Sequence, residues 1–320
     1  MCDTNDFKFI KVEDFFNQSK EWTKLTRVIS PDYDDKLKVL FLNFQNDTND
    51  NCLLVIHFPK KDTFRFRFNP SKANTEDYSN SNTRSIVMDS FDELINNLPD
   101  FTLQYNFNKQ TNIAELTTFE QKDKPYMKMV IELDNFEMTV YKYNDINEEI
   151  LVLSTDDYGT RFNKRCSYDG IDEYSIVQSF VKPFTAKYIG FGETGGKTLC
   201  KNGSQLTYMN YDNMKYEQIY KRGPLDDREA LYHTNPFFME FYGVPSEDIV
   251  CGLFIDNVSE SFVDVGYSNS ERYMIGTLLG DLDFYFFLGC NAEDIMSSYV
   301  SFVGTARLKP RYVLGYHQGC

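Results

Sequence analysis

The sequence predicts a mainly β protein built as an antiparallel β-sandwich, and three observations predict it. Aromatic residues fill 16% of the 320 positions, with 28 Phe and 22 Tyr, a bias that favours strands over helices. Short apolar runs, alternating or continuous, recur along the chain between Asn-, Asp- and Gly-rich turns. Helical periodicity is confined to a few brief segments, and no repeat with a period of roughly 20–50 residues is present.

The elements follow in order. Residues 11–26 (KVEDFFNQSKEWTKLT) read as one polar-faced helix. Strands are expected at 37–42 and 52–58, on either side of the Asn/Asp-rich turn 46–51. Thr63–Phe68 (TFRFRF) alternates three Phe on one face with two Arg on the other, and Asn69-Pro70 stops it. Residues 69–84 are polar and turn-rich, hence an exposed loop. Ser90 and Glu93 form a capping box for a short helix through Leu98. Strands at 101–105 and 113–119 precede the clearest hairpin, in which 126–133 and 136–143 flank Asp134-Asn135. A strand at 150–153, a charged turn-rich connection at 155–173 and a strand at 175–181 complete this part.

Near the C-terminal end, the apolar run 284–288 stops at Gly289. Asn291 then N-caps a helix carrying Ile295, Tyr299 and Phe302/Val303 on one face, and Gly304 closes it. After Pro310 the run 312–316 reads as a further strand. Strand, short helix, strand is how a β-rich domain hands over to an α/β barrel. The division expected is therefore a β-sandwich over 1–307 and the start of a barrel at 308–320, with the chain the front portion of a larger enzyme.

Composition excludes several classes. A net charge of −15 makes nucleic acid and anionic membranes poor partners, and no apolar run approaches the ~20 residues of a membrane span. The seven cysteines are odd in number and form no CxxC pair, and the N-terminus MCDTNDFKF lacks a signal-peptide core. Free thiols in a reducing cytoplasm are the expectation. His57, His233 and His317 have no partner at metal-ligand spacing, and no GxSxG occurs, so neither metal nor cofactor is expected.

Three stretches stand apart. Residues 188–197 (YIGFGETGGK) place glycines at 190, 192 and 195, the dinucleotide spacing. No crossover helix follows and Glu193 would repel a phosphate, so these read as tight-turn glycines. Residues 206–213 (LTYMNYDN), followed by a loop to Asn235-Pro236-Phe237-Phe238, crowd Asn, Asp and Tyr together. Those are the residue types that hold sugars, with carboxylate and amide for hydroxyl pairs and aromatic faces for the ring; an Asx-rich turn has the same composition. Residues 252–257 (GLFIDN) run a strand into an Asp-Asn turn and read as structural.

In this order and spacing the segments resemble the N-terminal part of glycoside hydrolase family 31, the α-glucosidase family. They are GFGE at 190–193, NYD at 210–212, NPFF at 235–238, GLFIDN at 252–257, DFYFFLG at 283–289 and PRYVLGYHQ at 310–318. The resemblance covers roughly 186–320. Residues 64–70 (FRFRFNP) and 210–213 (NYDN) are similar to the branch that contains α-1,4-glucan lyases. It implies a sandwich of galactose-mutarotase type followed by the first strand of a (β/α)₈ barrel. It also implies a retaining mechanism on two barrel aspartates that lie beyond residue 320, so no catalytic residue is assigned in this chain. A loop at about 207–236 would reach the sugar site. There Asp212 matches the aspartate that hydrogen-bonds sugar hydroxyls, with Asn213 and Tyr232 as further substrate-binding candidates. The implied partners are an α-linked glucose oligosaccharide and the chain's own barrel. Met209 departs from the Trp or Phe common before that Asn, and hydrolase, lyase and glucosyltransferase outcomes stay open. So do a stand-alone carbohydrate-binding module and a non-enzymatic scaffold.

Overall fold

The computed structural model describes residues 10–16, 22–45, 51–78, 100–121, 123–168, 171–196, 198–209, 233–244, 247–305 and 307–316. Helix α1 (Val12–Phe16) comes first, followed by β1 (Thr23–Lys24), β2 (Ser30–Asp34), β3 (Val39–Gln45), β4 (Asn51–Lys60) and β5 (Thr63–Phe68). Next are β6 (Thr102–Asn108), β7 (Ile113–Gln121), β8 (Lys124–Glu132), β9 (Glu137–Tyr143), β10 (Glu149–Tyr168) and β11 (Ile171–Val181). The last part holds β12 (Lys187–Gly190), β13 (Gln205–Tyr208), β14 (Phe237–Val244), β15 (Glu247–Ile255), β16 (Ser261–Asp264), β17 (Arg272–Thr277), β18 (Leu282–Gly289) and helix α2 (Ala292–Val303). The ladders are antiparallel and form two sheets. Sheet I runs β13-β16-β17-β11-β10-β9-β8-β7-β6, with β1 on β10; sheet II runs β12-β14-β15-β18-β5-β4-β3-β2.

The sandwich core lies between them, and period-2 alternation fills it. Phe64, Phe66 and Phe68 of β5 turn inward. Phe66 stacks on Phe284 at 4.9 Å, while Phe68 meets Phe162 and Phe284 meets Phe180 across the gap at 6.0 and 5.9 Å. Each such burial contributes about 1.5–3 kcal/mol. Part of each sheet is also covered on its outer face. On sheet I, Phe15 of α1 stacks on Phe262 at 4.1 Å, over Gly276, where a Cβ would come within 2.5 Å of its ring. On sheet II, α2 lays Ile295 and Tyr299 against Phe237, Phe254, Tyr285 and Phe287. Asn291 caps α2, its side chain accepting from the Asp294 N–H at 2.9 Å, and Gly304 closes it at φ 83°.

Five expectations are corrected. The helix over 11–26 is short: α1 ends at Phe16, and Thr23–Lys24 is a strand. The reason is non-local. β9 pairs with β10 only as far as Ser154, and the free side of β10 beyond it takes Thr23 and Lys24 opposite Phe162 and Arg161. Of the connection expected at 155–173, residues 155–168 instead continue β10 and 171–173 begin β11. Its turn residues build a bulge in which Asp156 accepts from the Tyr158 and Gly159 N–H groups, and the strand resumes. The loop expected at 69–84 is not exposed throughout, since Asn69, Lys72 and Tyr78 are buried, and 79–84 lie outside the described residues. Tyr78 donates to the Leu53 carbonyl at 2.6 Å. In the hairpin, the strands end at Glu132 and Glu137, and Phe136 takes a positive φ of 45° to reach Phe44 edge-on in the core.

The fifth correction concerns residues 312–316. They are not a strand; Arg311–Leu314 is a single 3₁₀ turn with Tyr312 and Leu314 exposed. No described strand runs beside it, so short local bonds (Val313 N–H to the Pro310 carbonyl, 3.1 Å) serve the backbone instead. The helix expected after Ser90 lies outside the described residues. Among the described residues no helix is long and apolar enough to cross a membrane.

Candidate functional site

β13 is an edge of sheet I and β14 belongs to sheet II, so residues 209–236 must cross from one sheet to the other. Asp212, Asn213 and Tyr232 lie on this crossing and outside the described residues. What the structure supplies is the root of the loop, built from the glycine turn, the NPFF segment and α2.

The glycine turn needs its glycines. Gly190, Gly192 and Gly196 have φ of 120°, 68° and 115°, a region that side chains disfavour. At Gly192 a Cβ would stand 2.6 Å from the Asn235 nitrogen. The two segments are therefore in backbone contact, and hydrogen bonds register them. The Phe191 N–H donates to the Phe237 carbonyl at 2.8 Å and the Glu193 N–H to the His233 carbonyl at 3.1 Å. The Glu193 carboxylate accepts from the His233 N–H at 3.0 Å. Buried Lys201 reaches the Gly195 carbonyl with its ammonium. Among the described residues no helix follows before β13, and the arrangement is a turn rather than a phosphate cradle.

Beneath the turn is an aromatic block. Phe191 stacks on Phe238 at 4.7 Å and 8°, Phe238 meets Tyr273 edge-on at 6.1 Å, and Tyr188 lies 5.2 Å from Tyr273. From the outer face, Tyr299 of α2 stacks on Phe237 at 4.2 Å and donates its hydroxyl to Asn235 Oδ1 at 3.1 Å. The root is thus gripped from both faces of sheet II. This frame fixes the segment Asn235–Phe238, where the chain enters β14.

Glu240 sits inside this block, opposite Tyr188 in the β12–β14 ladder and almost fully buried. Burial pushes its carboxyl up to about 8, against the smaller pull of Tyr188 and Lys182, so it is protonated at neutral pH. Burial likewise raises the Tyr188 and Tyr273 hydroxyls and the Cys251 thiol, and Glu240 adds to each shift. Sequence reading missed Glu240. The signal was available: it shares strand parity with Phe238 and Tyr242, both directed into the core.

The other motifs are structural. Asp256 and Asp283 face Arg65, with Arg65 bidentate on Asp283 at 2.8 and 2.6 Å and 3.3 Å from Asp256. Arg67 reaches Asp283 and Asp281, and Lys72 bonds Asp281 at 2.8 Å. Three cations thus balance three carboxylates under Tyr78 and Tyr285, whose rings lie 4.9 Å from Arg67 and Arg65. Asn257 donates to the Leu279 and Asp281 carbonyls. His57 is buried beside the two arginines, and burial with their charges lowers its pKa to about 3. No group of three His, Cys, Asp or Glu among the described residues could hold a metal ion. The described cysteines are all free.

Residues 53–264 match the glycosyl hydrolase 31 N-terminal galactose mutarotase-like domain. Alpha-glucosidase 2 of Bacillus thermoamyloliquefaciens is 30% identical over 132 residues, which are 41% of this chain and 15% of that enzyme. This chain therefore spans only a small part of the length of such relatives. Among solved structures, the α-1,4-glucan lyase of Gracilariopsis lemaneiformis superposes with a TM-score of 0.67 at 18% identity, covering 95% of this chain and 32% of the lyase. A Flavobacterium johnsoniae dextranase complexed with glucose superposes with a TM-score of 0.64 at 16% identity, covering 92% of this chain and 30% of the dextranase. At those identities the superpositions show the fold.

Proposed function

The chain belongs to the glycosyl hydrolase 31 N-terminal galactose mutarotase-like family, and from that we propose that it is the N-terminal domain of an α-glucosidase-type glycosidase acting on α-linked glucose oligosaccharides. In this reading it contributes a substrate-binding loop over 207–236, where Asp212 accepts a pair of sugar hydroxyls. Asn213 adds amide contacts and Tyr232 a ring face. The catalytic aspartates of a retaining mechanism come from a barrel that follows residue 307, so the 320-residue chain is inactive by itself. Free thiols fit a cytoplasmic setting.

The observation that carries this is the loop root. The segments that resemble the family, at 190–193 and 235–238, are in backbone contact at Gly192 and Asn235. That contact fixes where the chain returns from 209–232 to the sandwich, which supports the reading. The test is kinetic. The 320-residue chain is expected to show no turnover of maltose or a nitrophenyl α-glucoside, and a protein extended through the following barrel is expected to hydrolyse both. In the extended protein, Asp212→Ala should lower kcat/KM by about tenfold to 150-fold, the worth of a charged hydrogen bond at ~1.5–3 kcal/mol. Robust turnover by the 320-residue chain would sink the division of labour. A lyase would show instead as release of a sugar lighter than glucose by one water, and a glucosyltransferase as lengthened oligosaccharides.

A further inference from the structure

The cleft between the β4–β5 hairpin and the β6–β7 edge of sheet I is lined by no residue of the loop root, and β6 lies at the opposite edge of that sheet from β13. Its volume is about 460 Å³, inside the range of roughly 300–1,000 Å³ found for small-molecule sites. The hairpin turn brings Lys61 and Asp62 to one wall, Asp100 and Phe101 lead into β6 on a second, and Phe119 and Glu120 end β7 on a third. Both ladders are irregular here. The β4–β5 register slips between His57 and Lys60, and the β7–β8 register slips on either side of Phe119. Bulges of this kind re-aim side chains and occur often beside sites.

The chemistry of the walls narrows the ligand. Lys61 is engaged, with Nζ 2.6 Å from Glu120 Oε1 and 4.9 Å from the Tyr126 ring. Lys60, the other lysine on the wall, bonds the Ser301 hydroxyl and lies over Phe302. An anion would have to displace these contacts and approach three carboxylates. A divalent ion lacks a coordinating group of side chains among the described residues. A wholly apolar ligand would leave the carboxylates without water or donors. Asp62 accepts from Thr63 and Ser298 and Glu120 from Lys61 and Lys124, yet a carboxylate offers about four lone-pair sites, so capacity remains. Hydrogen bonds from Lys61 and Lys124 hold Glu120 down at about 2, so it is an acceptor at any physiological pH. Phe101 and Phe119 are half-buried and lend ring surface.

We propose that this cleft binds a neutral saccharide, its hydroxyls donating to Asp62, Asp100 and Glu120 and its C–H face resting on Phe101 or Phe119. The site stands on its own lining; only the choice of α-glucans as first probes rests on the reading of the chain as an α-glucosidase-type domain. The test is NMR titration of the isotopically labelled 320-residue chain with maltotriose, isomaltotriose, mannotriose and galactotriose. Maltotriose or isomaltotriose should shift the amides of 60–62, 100–102 and 119–121. Asp100→Asn, at an exposed position that leaves the fold intact, and Phe101→Ala should each weaken that binding about three- to tenfold. No shift in these segments with any of the four sugars, or shifts that neither substitution weakens, overturns the proposal. Shifts confined to 209–236 would do the same while supporting the loop. Shifts at the cleft with the mannose or galactose sugars alone would keep the saccharide site and count against the α-glucan reading of the family role.

Discussion

A single carboxyl can set the pH response of the loop root. Glu240 is protonated in the folded chain up to about 8, whereas in the unfolded chain it titrates near its ordinary 4.5. Between those values the folded state holds a proton that the unfolded state has released. The stability that this group contributes is therefore full below pH 4.5 and is lost as the pH rises through 8. Glu240→Gln keeps the shape and cannot ionise. It should match the parent near pH 4.5 and exceed it at pH 8 by on the order of 2–4 kcal/mol, read as Tm by calorimetry across that window. Equal Tm shifts at both ends would place the ionisation elsewhere. His57 works in the opposite sense. Its pKa is lowered to about 3 by burial and by the charges of Arg65 and Arg67, so its contribution is present above about 6.5 and fades as the pH falls towards 3.

Among the elements, α2 shows how a helix is fitted to a sheet. Its caps are local and contribute about 1 kcal/mol at the N-terminus, but its seat is the socket at Gly252. A Cβ there would stand 2.5 Å from Ile295 Cγ2 and 3.3 Å from the rings of Phe237 and Phe287. Gly252→Ala must push α2 outward, at a cost of about 1–3 kcal/mol for an overpacked contact. Because Tyr299 holds Asn235 from the same helix, the damage should extend to the loop root. Hydrogen exchange should then speed up at the amides of Asn235, Phe237 and Phe238 together with those of 292–303. Faster exchange in the helix alone would show the two to be uncoupled.

For the whole molecule, the outer face of sheet II is organised by charge as well as by apolar contact. Arg65 and Arg67 are only 2% and 4% exposed, and Asp283 touches both. Removing that carboxylate leaves two buried cations short of a partner, so Asp283→Ala should destabilise the fold by about 3–5 kcal/mol, measured by urea denaturation. A loss under 1 kcal/mol would mean that water or Asp256 replaces it. The network ties β5, β15, β18 and the Asn69–Lys72 turn into one body.

Strands β3 to β9, β11, β15 and β18, the hairpin, the caps of α2 and the family resemblance could be read in the sequence. TFRFRF alternates, Asn291 precedes an amphipathic run and the glycine turn sits between strands, and each of these signals acts over a few residues. Tertiary structure decided the rest, because burial and pairing depend on which distant segments meet. Thr23–Lys24 became a strand because β10 had a free side, and Asp156 and Gly159 made a bulge because the pairing resumed beyond them. Arg65 and Arg67, on what reads as a polar face, are buried because Tyr78, Tyr285 and three carboxylates from remote segments close over them. Glu240 keeps its proton for the same physical reason, since the low dielectric around a group is supplied by residues far from it in the chain.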